Sequence, residues 1–537
     1  MTGTDDTASP GDTPSTGADH LDVDDRRSGR RRSGRRRAAG RPTGTEQPPF
    51  ARHRRWFAPT PAVSDDELEA IHRASLRVLS ETGIDILNAD ARRLFIEAGA
   101  VVDGDGERVR FDPEMVVATV ERAPSTFTLH ARNPAHTVEL GGDNVVFGAV
   151  ASTPNVGDAT GGRRTGNLDD FRSLVRLSQQ LNAVQTHGGY PVEPVDVHPS
   201  VRHLHALGDL LTLSDKSINA YSLGAERNRD ALELARIANG LTDDELDERT
   251  VVHTVINTSS PLRIDDPMCQ GIIEFSSRNQ ACVITPFTLA GAMAPVTVVG
   301  AVVQQNAEAL AGITLSQLVR PGAPVIYGGF TSNVDMKSGS PAFGTPEFMK
   351  AALLGGQLAR RYGVPYRSSN VNAANAVDAQ AGYESVFSLW GAVMGGANLV
   401  FHGAGWLEGG LRASYEKMVL DADLINMVGA FLQPLTVDDS TLALDAIAEV
   451  GPGGHFFGVQ HTQDRYRNAF FSPMISDWRN YESWAEAGSP TAERRAAELW
   501  PTLLEEYQAP PMDEAVRAEL DDFIGRRVAE GGVATDF

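Results

Sequence analysis

Two cysteines in 537 residues, Cys269 and Cys282, exclude a disulfide framework and a cysteine-rich metal site. Cys282 lies in the buried-strand pattern ACVITPFTLA and reads as a small core residue. Lysine is almost missing: Lys216, Lys337, Lys350 and Lys417 are the whole set. With 70 acidic against 48 basic side chains, the formal charge is −22, which argues against a nucleic-acid binder and for a well-solvated surface. No run of about 18 apolar residues occurs, so no membrane span is predicted. The early arginines run into Pro and polar residues rather than an apolar h-region, so a secretory or twin-arginine signal is not expected and the protein reads as cytoplasmic. The motifs HExxH, GxSxG, a P-loop and a DxDxG calcium loop are absent as well.

What is present falls into four parts. Residues 1–55 are rich in Thr, Ser, Gly, Asp and Pro and carry nine arginines between Arg26 and Arg41. Such a segment cannot bury enough apolar surface to offset its ordering entropy, and it reads as a disordered, solvated basic arm. Residues 56–143 read as an α+β subdomain, opening on a helix started by Ser64 with Asp65, Asp66 and Glu67, and with short strands around Thr126–His130 and Thr137–Leu140. From 144 to 430, eight short apolar stretches end in small or polar residues, from NVVFGAV to ANLVFHGAGW, and helical patterns run between them. Strand starts recur every 30 to 42 residues or so, the spacing of βα units, and eight such units close most naturally into a (β/α)8 TIM barrel of the α/β class. No GxGxxG follows the first strand, which leaves the dinucleotide-binding open sheet without support. Residues 431–537 read as a helical extension with an irregular insertion, EVGPGGHFFGVQHTQDRY, whose His455 and His461 suit a structural role.

Barrel active sites lie at the C-terminal ends of the strands. Those ends carry His187, Tyr221, Asn257, Phe287, Gly328, Gly329, Phe330, Asn370, Val371, Asn372, His402 and Trp406. The rim is aromatic, glycine-rich and amide-rich, and short of acid–base pairs. Several aromatics on one cavity suit a quaternary ammonium by cation–π attraction, although each ring taken singly reads sooner as core packing. Adjacent glycines such as Gly328 and Gly329 suggest close approach of something broad and flat. His187 and His402, with no Cys, Asp or Glu at ligand-like spacing, do not make a metal site, and none is expected. Glu408 and Asp378 are the best-placed carboxylates, Asp378 reading equally as a helix N-cap.

The stretches SLRVLSETGI, NTSSPL, NAEALAGI, PGAPVIYGG, GTPE, DAQAGYE and GANLVFHGAGWLEGG resemble the trimethylamine methyltransferase family, in its branch without pyrrolysine. That resemblance implies a TIM barrel presenting an N-methylated amine to Co(I) of a corrinoid (cobalamin) on a separate partner protein, with no permanently bound cofactor. Counting back from Asp378-Ala379-Gln380-Ala381-Gly382 puts the family's pyrrolysine position near Val371. Together with the strand-end positions it makes Asn370, Val371, Asn372 and His402 the expected catalytic group. Tyr221, Phe287, Phe330, Trp406, Asp378 and Glu408 are expected to bind substrate, and Gly328, Gly329 and His187 to face the corrinoid. A quaternary amine releases a neutral tertiary amine, so a betaine is the expected donor. The expected assembly is a homo-oligomer. A tertiary amine or sulfonium donor, a non-catalytic betaine-binding protein and a metal-dependent barrel hydrolase are the alternatives.

Overall fold

Most of the apolar runs do become strands. In the computed structural model, which describes residues 45–104 and 106–534, seven of them form β1 (Asn144–Ala149), β2 (Ile218–Asn219), β3 (Val252–Ile256), β4 (Ala281–Ile284), β5 (Val325–Gly328), β6 (Tyr366–Ser369) and β7 (Leu399–Ala404). They make one curled sheet in the order β2-β3-β4-β5-β6-β7-β1, each neighbouring pair parallel. Val, Ile and Phe dominate these runs because the strands are covered on both faces, as parallel sheets require. The stretch AVQTHGGYP departs from expectation: it is not a strand, and only Thr186 makes parallel bridges, to Gly148 beside it on β1 and to Ser217 just before β2.

The helical patterns hold. After α1 (Asp65–Arg77), whose capping box pairs Ser64 with Glu67, come α2 (Leu168–Gln180), α3 (Pro199–Leu213), α4 (Ala225–Ala238), α5 (Asp266–Ser277), α6 (Val298–Val319), α7 (Pro346–Arg361), α8 (Ala379–Gly395) and α9 (Tyr415–Phe431). The helix α3 was not legible as a separate unit. Side chains of Asn167, Asp265, Thr297, Thr345, Asp378 and Ser414 cap α2, α5, α6, α7, α8 and α9 by accepting backbone N–H bonds that the first turn leaves free. The helix α6 is buried nearly all round, because α1 covers the side that β4 and β5 do not.

Residues 45–55 differ from the disordered arm expected over 1–55. They run extended along the sheet, His53–Arg54 pairing antiparallel with β1 at Val145 and Asn144. The buried Arg55 guanidinium donates to the carbonyls of Ala397 and Gly142, at 2.9 and 2.8 Å, and those bonds offset the ordering cost that composition alone counts. The arginine run itself lies outside the described residues. The hairpin strands are Thr126–Leu129 and Val138–Gly141, paired antiparallel. At the other end α10 (Ala492–Glu505) packs on α9 and α2, and α11 (Glu514–Ala529) on α3 and α4. No helix among the described residues is long and apolar enough to cross a membrane.

Candidate active site

The strand ends enclose a cavity of about 380 Å³. Tyr221, Phe287, Phe330, Phe401 and Trp406 line it with their rings, Met268 adds a thioether, and Ser152, Ser222, Asn257, His402 and Arg367 add polar groups. Among the described residues, no Asp or Glu is on its wall. Of the residues expected from sequence, Tyr221, Phe287, Phe330, His402 and Trp406 are thus brought together.

Local geometry explains how each arrives. Phe330 is the hub, with ring centroids 5.2 Å from Phe287, 6.1 Å from His402 and 6.3 Å from Trp406. The ladder of β7 shifts register between Val400 and Ala404, and within that irregularity His402 takes a left-handed φ of 54°, which costs a non-glycine residue free energy and re-aims its ring. Its imidazole then stacks on Trp406 at 5.2 Å and 24°. The Tyr221 hydroxyl is held by Ser152 Oγ at 2.9 Å and accepts the Tyr190 N–H at 3.0 Å. Gly410 stands against the indole, where an added Cβ would lie 2.6 Å from Trp406.

Arg367 was not singled out by the sequence reading, and it is the most informative member of the wall. It sits inside β6 with 2% of its surface exposed. Its Cζ lies 5.1 Å from the Phe330 ring centroid and 5.3 Å from that of Phe401, so the guanidinium rests between two rings. Nη2 approaches His402 Nε2 at 3.4 Å, while Nε and Nη1 have no hydrogen-bond partner and, among the described residues, no carboxylate pairs with it. Burial pulls its pKa down to about 9, still above neutrality. Burial and this neighbouring charge push His402 well below the ordinary histidine value, so its ring is neutral at pH 7 and Nε2 accepts from Arg367. The signal in the sequence was a lone cation inside a buried strand, in VPYRSS.

The remaining expected residues stand behind the wall. Asn370 Nδ2 donates to the Gly403 carbonyl at 2.9 Å and Asn372 Nδ2 to Ser385 Oγ at 2.8 Å. The carbonyls of Asn372 and Ala374 accept the N–H groups of Gly409 and Glu408, at 2.9 and 3.0 Å. The amide-rich stretch therefore braces the loop carrying Trp406, a positioning role. Val371 is fully buried and its carbonyl accepts from Ser388 Oγ. Asp378 caps α8, accepting from Gln380 N and Ala381 N. Glu408 is bound by Arg163 and Arg412 at 3.0 and 3.1 Å. His187 is buried and bonded to Ser214 Oγ at 2.8 Å, and loss of solvation lowers its pKa to about 3. Gly328 and Gly329 are glycines because the packing is tight there: a Cβ would lie 2.1 Å from Thr285 Oγ1 and 2.8 Å from the Tyr366 hydroxyl, respectively.

Three helix carboxylates staple the site loops from outside. Glu308 of α6 accepts from Thr258 Oγ1, Ser260 Oγ (2.6 Å), Leu262 N (2.8 Å) and Gln304 Nε2 (3.0 Å), fixing the loop that follows Asn257. Glu384 of α8 accepts from Ala373 N and Ala374 N, at 2.9 and 3.0 Å. Asp421 of α9 accepts from Gly405 N at 2.9 Å and pairs with buried Lys417 at 2.5 Å. The motifs NTSSPL, NAEALAGI and DAQAGYE are thus the two sides of such staples.

Among known proteins, the chain is 37% identical to the glycine betaine methyltransferase of Desulfitobacterium hafniense (strain Y51), over 88% of this chain and 98% of that one. It is 32% identical to the trimethylamine methyltransferase MttB of Desulfitobacterium hafniense (strain DSM 10664 / DCB-2), over 88% and 95%. The fold is similar to that in the crystal structure of the hydroxylamine MtmB complex, with a TM-score of 0.50 at 12% identity, covering 86% of this chain and 89% of that one. The profile of the trimethylamine methyltransferase (MTTB) family matches residues 26–532. The chain therefore belongs to the trimethylamine methyltransferase family and is a methyltransferase.

Proposed function

We propose that this protein transfers a methyl group from a carboxylate-bearing quaternary amine, glycine betaine or a related betaine, to Co(I) of a corrinoid held by a partner protein. The observation that carries the donor is Arg367. A guanidinium buried without an anion is costly, and a ligand carboxylate in the cavity beside Arg367 would supply the missing charge. The rings of Tyr221, Phe287 and Trp406 remain for the trimethylammonium end. A bare cation such as trimethylammonium would meet the Arg367 charge with no carboxylate on the wall to balance it. Similarity to a glycine betaine methyltransferase supports the same donor.

The chemistry asks for little acid–base help. The C–N bonding pair stays on nitrogen, so a quaternary amine leaves as a neutral tertiary amine, whereas an unprotonated tertiary amine would have to expel an amide-like anion. Positioning and exclusion of water supply the rest. A corrin macrocycle is far larger than a cavity of about 380 Å³, so the cavity suits the small donor and the corrinoid stays with its carrier, meeting the donor at the mouth. The corrinoid supplies Co(I), a strong nucleophile toward methyl carbon. We also infer a closed (β/α)8 barrel, supported by the bridges of Thr186 to both flanking strands, where an eighth strand would run.

The test is optical. Purified protein is mixed with a Co(I) corrinoid carrier or free Co(I) cobalamin, glycine betaine is added, and the Co(I) spectrum is followed. Its conversion to the methylated form establishes reaction and donor together. No conversion with any betaine, sulfonium compound or methylamine would refute the proposal.

A further inference from the structure

Between Leu432, at the end of α9, and Ile475, which returns to α9 through its own N–H and the Asp423 carboxylate, the chain makes an excursion that leaves its apolar side chains in water. Phe457 is 81% exposed, Phe470 87% and Leu435 89%. Val437, Leu444 and Tyr466 are exposed beside them in sequence. The excursion has a shape of its own. Ala446 and Val459 are buried in it, and Ser440, on the helix Asp439–Leu442, bonds to the helix Gln460–Arg465, its carbonyl with His461 Nε2 at 3.1 Å and its hydroxyl accepting from Arg465 Nη2 at 2.6 Å.

We propose that this arm is the contact between two copies of the chain, laid arm against arm about a twofold axis. Four of its aromatic rings, those of Phe456, Phe457, Tyr466 and Phe470, together expose on the order of 500 Å². With the neighbouring aliphatics this approaches the roughly 800 Å² per partner of a stable interface. So much apolar side-chain surface left in water within one excursion is what a permanent partner would cover. A methyl-group carrier must leave after each turnover, which calls for a smaller and more polar contact. The arm also leaves α9 at its C-terminal end, where Trp56 Nε1 donates to the Phe431 carbonyl. In a βα unit that end lies opposite the strand C-termini that surround the cavity, so an arm-to-arm contact leaves the mouth open to the carrier. A second copy is the partner always present in equal amount, and a twofold contact makes one patch serve both sides.

Sedimentation equilibrium of the full chain across a concentration series tests this. The expected mass is a multiple of 57.6 kDa. The double variant Phe457→Glu, Phe470→Glu places four carboxylates in the proposed contact and should raise the dissociation constant at least thirtyfold or so. Methyl transfer per chain and the far-ultraviolet dichroism should be unchanged. If the glutamates impair folding, Phe457→Ser, Phe470→Ser is the milder test and should weaken association in the same direction. A wild-type mass of 57.6 kDa at every concentration would overturn the proposal. So would an assembly that the folded variants leave intact, or a monomer whose arm instead captures the corrinoid carrier.

Discussion

In the proposed betaine complex, Arg367 meets one end of the donor and the rings meet the other. Replacing it with methionine keeps much of the side-chain volume but removes the charge, so calorimetric titration should show glycine betaine affinity falling about a hundredfold, the worth of a buried charged hydrogen-bonded pair. Tetramethylammonium, which has no carboxylate, should bind the variant at least as well as the wild type. Unchanged betaine affinity would place the carboxylate elsewhere. Phe330→Ala should weaken betaine binding roughly tenfold, because that ring both faces the cavity and supports the guanidinium. His402 is held neutral, and a quaternary amine carries no proton, so betaine affinity should be flat between pH 6 and 8. An inflection near 6.5 would show that the imidazole titrates in the site.

At the scale of elements, the staples turn helix packing into loop geometry. Glu308 is fully buried and holds four donors, so Glu308→Ala leaves the 258–262 loop without its anchor and should cost about 3 kcal/mol in a denaturant titration. A loss below about 0.5 kcal/mol would mean that the loop holds itself. How much was legible in the sequence follows from the same locality. Strand tips marked the rings of Tyr221, Phe287, Phe330 and Trp406, because the apolar-run-then-polar pattern is written in consecutive residues. The partners of Asn370 and Asn372, Gly403 and Ser385, lie 33 and 13 residues away, so the turn of their amides away from the cavity was not written locally. Arg367 escaped for a related reason: its environment is made by Phe330, Phe401 and His402, from two other strand ends. The second apolar run misled because its bridging residue, Thr186, is followed closely by Gly188 and Gly189, and the run forms no ladder of its own.

Among the described residues five imidazoles, those of His53, His72, His187, His253 and His402, have their pKa depressed from 6.5, first by loss of solvation. The unfolded chain takes up protons at these positions that the folded chain refuses. Their stabilising effect is therefore complete above the unfolded value and is lost as pH falls below about 6.5, by up to roughly 1.4 kcal/mol per pH unit for each histidine. The melting temperature should drop steadily from pH 6.5 toward pH 4, and a flat profile there would show that these rings already carry protons when folded. The three staples have a different consequence at this scale. They fasten the loops from the helix side, whereas the cavity is lined by side chains pointing inward, so frame and lining draw on separate residues. Mutational change can then explore new methyl donors at Phe287, Met268 or Asn257 while the scaffold stays intact, and a saturation library should tolerate substitution at the lining far better than at Glu308, Glu384 or Asp421.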